Sequence, residues 1–148
     1  MGVDVELMIA GKVALASVLG YLVGFERSYR RKDAGARTFA LLALGSAAFV
    51  AVALELFPES ADRVIQGVAA GVGFLGGGII FRAGHGTRGL TTAAASWAAA
   101  AVGVLAGAGT AVAAVLVTIL TIAILVSDRV PFLRSLDSGG DGADDQDA

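Results

Sequence analysis

The chain has 148 residues, of which 56% are hydrophobic and 16% charged, and its mean hydropathy is +0.77. A soluble domain is charged at about a quarter of its positions, so this composition excludes an ordinary soluble globular protein. The chain contains no cysteine, which excludes disulfides, thiolate metal sites and cysteine nucleophiles. Its net charge of −2 averages basic loops against an acidic carboxyl-terminal tail, and we expect no nucleic-acid partner.

Charged residues are segregated along the chain. Three long stretches, 38–54, 64–81 and 90–127, contain no Asp, Glu, Lys, Arg or His. Each approaches or exceeds the ~20 apolar residues that span a bilayer. The pattern predicts an all-α, multi-pass protein of the cell (inner) membrane, embedded in the lipid bilayer.

The first predicted span covers residues 7–25 and contains Lys12 near its start. A charge inside the membrane can mark a functional site. The alternative is a lysine that reaches the nearer interface along its own aliphatic stem. The shallow position of Lys12 favours the second interpretation.

The loops on either side of the second span, 38–56, differ in charge. Residues 26–37 hold five basic and two acidic side chains, a net of 5 − 2 = +3, and short basic loops stay in the cytoplasm. We therefore expect the amino terminus outside. The turn before the third span, 64–81, is mostly acidic, which suits the outer face, and a second basic loop follows with Arg82, His85 and Arg88.

The last uncharged stretch has 38 residues and would be about 57 Å long as one helix at ~1.5 Å per residue, nearly twice the ~30 Å hydrocarbon core. It must break, and 107–109 (GAG) is the expected place. Spans at 90–106 and 110–127 follow, giving five transmembrane helices and a cytoplasmic carboxyl terminus. We assign residues 1–134 to the membrane domain and 135–148 to a disordered acidic tail.

The third span is dense in glycine. A glycine costs about 1 kcal/mol in a helix interior, so this density predicts close packing against a neighbouring helix. The predicted packing motif consists of Gly71, Gly73, Gly76, Gly77, Gly78 and Trp97. We expect the face with Gly73, Gly76 and Gly77 to meet the alanines of the fourth span, with Trp97 against it.

Several polar residues lie at the predicted cytoplasmic interface: Glu26, Arg27, Arg37, Thr38, Arg82, Arg88, Thr91 and Thr92. One hypothesis gathers them into a site in which Glu26 pairs with an arginine of another helix. The remaining guanidinium groups would then bind a phosphate or carboxylate. The alternative is that the arginines are topology anchors and Thr91 caps a helix. Both remain open at this point.

The sequence offers little for catalysis. His85 is the only histidine, and neither a nucleophile–base pair nor a cluster of metal ligands is evident. The glycines at 73–78 lack the Lys-Ser/Thr that completes a phosphate-binding loop. We expect a protein that is not an enzyme, with no cofactor and no metal ion.

Four sequence blocks resemble the membrane domain of the MgtC/SapB family: GFER at 24–27, GART at 35–38, GFLGGGI at 73–79 and RGLTTAA at 88–94. Arg82 and Trp97 agree with the same signature, whereas Gly77 stands where the family usually has alanine. The resemblance runs over most of the chain. It implies a polytopic helical fold, followed in many members by a cytoplasmic regulatory domain that this chain stops short of.

The resemblance also implies a function. It favours a non-enzymatic protein that regulates another membrane protein, linked to magnesium limitation or to the ATP synthase, and acting by helix contact or by self-association through glycine-rich helices. The alternative is a small transporter or channel for magnesium or another ion. The last three spans contain no carboxylate, and ion paths normally need such groups at depth, which favours regulation.

Overall fold

The computed structural model describes residues 2–32, 34–81 and 89–127. These ranges are almost entirely helical and contain no strand, so the predicted all-α fold is confirmed. Five α-helices follow one another along the chain: α1 (Val3–Tyr29), α2 (Ala36–Leu56), α3 (Ala61–Phe81), α4 (Leu90–Gly107) and α5 (Ala111–Val126). A single 3-10 turn, Pro58–Ser60, precedes α3.

Four of these helices are long and apolar enough to cross a membrane, and the chain is an integral membrane protein. The exception is α5, whose 16 residues span about 24 Å at ~1.5 Å per residue, less than the ~30 Å hydrocarbon core. The extent of the tail stays a prediction, because residues 128–148 lie outside the described ranges. The orientation of the termini across the membrane also stays a prediction.

The bundle has two chemically different ends, to which we give names. The basic end holds the last turns of α1 and the first turn of α2, with Arg27, Arg30, Arg31, Lys32 and Arg37. The acidic end holds the turn between α2 and α3, with Glu55, Glu59 and Asp62. Each helix therefore runs from one named end to the other.

The predicted break in the last apolar stretch is confirmed, since α4 ends at Gly107 and α5 begins at Ala111. Gly109 adopts φ +83°, a left-handed conformation that glycine adopts without steric cost. The amide of Gly109 donates to the carbonyl of Ala106 at 3.0 Å, and that of Thr110 to Leu105 at 2.9 Å. This pair of bonds is a Schellman motif, which satisfies the last carbonyls of α4.

The tight core of the bundle lies between α1, α2 and α4, and small residues make it tight. A Cβ built at Gly20 of α1 would lie 2.6 Å from Cβ of Ala43, and one built at Gly103 of α4 would lie 2.7 Å from Cβ of Ser46. Gly24 and Gly107 approach α2 as closely. Two clusters of buried apolar side chains continue this core, one around Ala43 and one around Phe39.

Helix α3 lies at the edge of the bundle. It packs on α4 and α2 but not on α1 or α5, and only 11% of its apolar window is buried inside the protein. Most of its surface therefore faces the lipid, apart from a strip around Val72 and Gly76.

Candidate functional site

The basic end contains a buried ionic cluster built by the last turns of α1. Arg27 is 3% exposed and Glu26 is 9% exposed. Both Nε and Nη2 of Arg27 approach one carboxylate oxygen of Glu26, and Nε of Arg30 pairs with the other oxygen. One carboxylate is thus held between two guanidinium groups of its own helix.

The same arginine also reaches α5. Nη2 of Arg27 donates to the carbonyl of Leu125 at 3.5 Å, across 98 positions of sequence. Leu125 lies in the last turn of α5, where carbonyls without helical partners favour a positive charge. Arg27 therefore holds the carboxyl end of α5 against α1.

In the described part of the chain the partners of Glu26 are Arg27 and Arg30, at the end of α1. The hypothesis that Glu26 pairs with an arginine of another helix stays a prediction, because two of the candidate arginines lie outside the described residues. Because Arg27 faces inward, it presents no donors to an external anion. Arg82, His85 and Arg88 lie outside the described residues, so their predicted roles stay predictions.

A second polar feature of the basic end lies at the start of α2. Arg37 and Thr38 are exposed, and with Tyr21, Ser28, Gly35 and Ala36 they line a recess of about 360 Å³. Oγ of Ser28 accepts the amide hydrogen of Ala36 at 2.8 Å. This bond joins the start of α2 to the end of α1 beside the recess. Of the predicted site residues, Arg37 and Thr38 are together and accessible.

The start of α4 differs from expectation. Thr91 does not cap the helix, because the N-cap residue is Gly89, at φ 91° and without a side-chain hydrogen bond. Thr92 is buried, whereas Thr91 is exposed. Glycine adopts a left-handed conformation without steric cost, so it suits this N-cap position. The sequence block RGLTT did not reveal that the N-cap is Gly89 and not a threonine.

The glycines of α3 are not the packing positions of this fold. No atom lies within 4 Å of a Cβ built at Gly71, Gly73, Gly77 or Gly78. Gly76 alone among the predicted motif glycines meets α4, with Cβ of Ala93 at 3.6 Å, an ordinary contact distance. The expectation that Gly73 and Gly77 pack against the alanines of α4 is therefore wrong within one chain.

Trp97 is 55% exposed. Its predicted packing on the glycine-rich face of α3 stays a prediction, and about half of the residue is accessible from outside the bundle.

Lys12 lies beside the α4–α5 turn. A Cβ built at Gly109 would lie 3.6 Å from Nζ of Lys12, so the ammonium group is close to this turn at one end of the bundle. A positive charge is favoured near the carboxyl end of a helix, here α4. This position agrees with a lysine that reaches an interface, which stays a prediction.

A family model described as the MgtC family matches residues 13–130. The chain belongs to the MgtC family. It is 47% identical to Protein MgtC of Brucella abortus (strain 2308) over 116 residues, which are 78% of this chain and 49% of the relative. It is 46% identical to Protein MgtC of Salmonella typhimurium (strain LT2) over 94 residues, 64% of this chain and 41% of the relative.

The chain thus spans about half the length, or less, of these curated MgtC relatives. No solved structure matches it. The matched range contains the whole tight core and the outer helix α3, so both features belong to the MgtC-family part of the chain.

Proposed function

We propose that this MgtC-family chain is a non-enzymatic regulator of the cell (inner) membrane that acts by binding another integral membrane protein through α3. The family resemblance links such a role to magnesium limitation or to modulation of the ATP synthase. The observation that carries the proposal is the outer face of α3, which we define as Gln66, Ala70, Gly73, Phe74 and Gly77.

The outer face has the composition of a helix–helix contact but makes none with the helices that the structure describes. Gly73 and Gly77 are four residues apart on one side of α3, and neither is close to another helix. Phe74 beside them is 83% exposed. Association of membrane helices relies on small residues that let two backbones approach, and isolated glycines cost helix stability. A contact with a helix of another protein accounts for both.

Polarity adds a second argument. Gln66 is exposed on this face, and a side-chain amide in lipid gains by hydrogen bonding to a neighbouring helix. Two other pairs of glycines four residues apart, Gly20 with Gly24 and Gly103 with Gly107, are already occupied by contacts inside the bundle, and a third pair, Gly67 with Gly71, lines a groove between α2 and α3. The outer face of α3 is therefore the surface best suited to a partner.

Photo-crosslinking from Phe74 tests the proposal. A photoreactive phenylalanine at position 74 should form a covalent adduct with another integral membrane protein in native membranes. The matched control is Phe25, an exposed aromatic residue of α1, a helix that α3 does not contact. The same adducts from both positions would refute a partner surface on α3, and an adduct of doubled mass would point to self-association instead.

The transport alternative makes the opposite prediction about ion movement. In the ranges that the structure describes, no three His, Asp or Glu side chains come together to hold a metal ion. We expect liposomes containing the purified protein to take up Mg²⁺ no faster than empty liposomes. Saturable uptake that depends on the protein would favour the transporter.

A further inference from the structure

Besides the tight core, the bundle contains an open groove between α2 and α3. Its volume is about 500 Å³, within the ~300–1,000 Å³ typical of pockets that hold small molecules. Gly45 of α2 faces Gly67 and Gly71 of α3 across it, and no atom lies within 4 Å of a Cβ built at any of the three. The two helices therefore leave an open space between them, because these three residues are glycines.

The groove is apolar along its whole length. Among the described residues on its walls, Ser46 alone has a polar side chain, and its Oγ already donates to the carbonyl of Leu42 at 2.7 Å. A polar ligand or a hydrated ion would find no free donor there. Burying an unpaired polar group is costly, so the occupant is apolar where it lies in the groove.

The groove is too small to enclose a helix. A helix is ~10–12 Å across, so a helical segment alongside the 12 positions from Val64 to Leu75 of the α3 wall would occupy about 1,300 Å³ at ~1.5 Å per residue. That is more than twice the volume of the groove. A single extended hydrocarbon chain is narrow enough to enter.

One end of the groove is next to a polar recess. On α2, Leu42, Gly45 and Phe49 line the groove, and Thr38 precedes Leu42 at helical spacing. Thr38 and Arg37 line the 360 Å³ recess at the basic end, about one turn before Leu41, where the groove begins. From Arg37 to Phe49 the helix rises about 18 Å at ~1.5 Å per residue, comparable with half of the ~30 Å hydrocarbon core.

Charge favours an anion in the recess. Arg37 is exposed, and no carboxylate pairs with it in the part of the chain that the structure describes. The amides of Arg37 and Thr38 lie in the first turn of α2, where unpaired N–H groups favour a phosphate. An exposed arginine at the membrane surface also attracts anionic lipids.

We propose that the groove and the neighbouring recess together bind one molecule of an anionic phospholipid, with an acyl chain in the α2–α3 groove and its phosphate at Arg37. The groove lies on a different side of α3 from the outer face. The lipid site is therefore independent of the proposed protein partner, and either can fail without the other.

Native mass spectrometry of the full chain with added phosphatidylglycerol tests the site. We expect a one-to-one lipid adduct for the wild type, weakened about tenfold by Gly71→Leu or Gly45→Leu, which fill the groove from opposite walls. Gly11→Leu is the matched control, because Gly11 also has no atom within 4 Å but lies on α1. Each variant should melt like the wild type before lipid is added, and one groove variant that does so is enough for the comparison.

Arg37→Gln tests the headgroup contact. It should weaken binding of phosphatidylglycerol about fivefold, the effect of one basic residue near a charged membrane surface, and change binding of phosphatidylcholine less. Adducts of equal strength in the wild type and in a well-folded groove variant would overturn the groove assignment. An unchanged preference for phosphatidylglycerol in Arg37→Gln would overturn the headgroup assignment.

Discussion

Replacing Gly103 by alanine should destabilise the bundle, whereas the same replacement at Gly73 should not. A Cβ at Gly103 would lie 2.7 Å from Cβ of Ser46 and 2.9 Å from the carbonyl carbon of Ala43. Backbone atoms cannot move aside as a flexible side chain can, so α4 must shift away from α2. Overpacking of this kind costs about 1–3 kcal/mol.

Gly73 provides the matched control for this experiment, because a Cβ there meets no atom within 4 Å. Alanine also favours a helix over glycine by about 1 kcal/mol, so Gly73→Ala should melt at the wild-type temperature or above it. The measurement is the melting temperature in detergent together with the amount of protein in the membrane. Equal losses for Gly73→Ala and Gly103→Ala would place the close contacts on α3 and contradict the fold described above.

Removing the charge of Arg27 should also be strongly destabilising. Arg27→Met leaves the buried carboxylate of Glu26 with Arg30 as its remaining described partner and removes the bond to Leu125 of α5. Breaking a buried ion pair by deleting one member costs about 3–5 kcal/mol. We expect the lower end of that range, because Arg30 still compensates part of the negative charge.

Two further variants separate charge from packing at Arg27. Lys32→Met removes a positive charge from an exposed position at the same end. It should change the free energy of unfolding by no more than about 0.5 kcal/mol. Combining Arg27→Met with Glu26→Gln should recover part of the loss, because no unpaired carboxylate is then buried. If Arg27→Met melts like Lys32→Met, the ionic cluster does not hold α1 to α5.

The helix order and the α4–α5 break follow from the sequence because each depends on local properties. A 38-residue uncharged stretch is too long to cross once, and Gly109 can adopt the left-handed turn that ends a helix. None of these features requires knowledge of which helices are neighbours.

The packing partners could not be read from the sequence, because they depend on the arrangement of helices in space. The glycine density of α3 was the strongest local signal, yet the close contacts belong to Gly20 with Gly24 and to Gly103 with Gly107. Both pairs show the four-residue spacing, but spacing alone does not separate an internal contact from an external one.

The candidate site shows the same division. That Glu26 and Arg27 carry opposite charges at a helix end is visible in the sequence, but the inward direction of Arg27 depends on the carbonyl of Leu125. That carbonyl is 98 positions away along the chain, and no local pattern indicates it. Arg37 and Thr38, in contrast, were predicted to be at a membrane interface and lie exposed at the basic end.

The most direct test of the account compares Gly73→Leu with Gly11→Leu in native membranes. Both replacements add a bulky side chain at an exposed glycine with no atom within 4 Å, so both proteins should accumulate and melt like the wild type. The measured quantity is the amount of the protein crosslinked through position 74 that copurifies with each variant. We expect Gly11→Leu to retain the wild-type amount and Gly73→Leu to lose at least about tenfold, a change of about 1.4 kcal/mol in binding. Equal copurification from both variants would contradict a partner surface on α3.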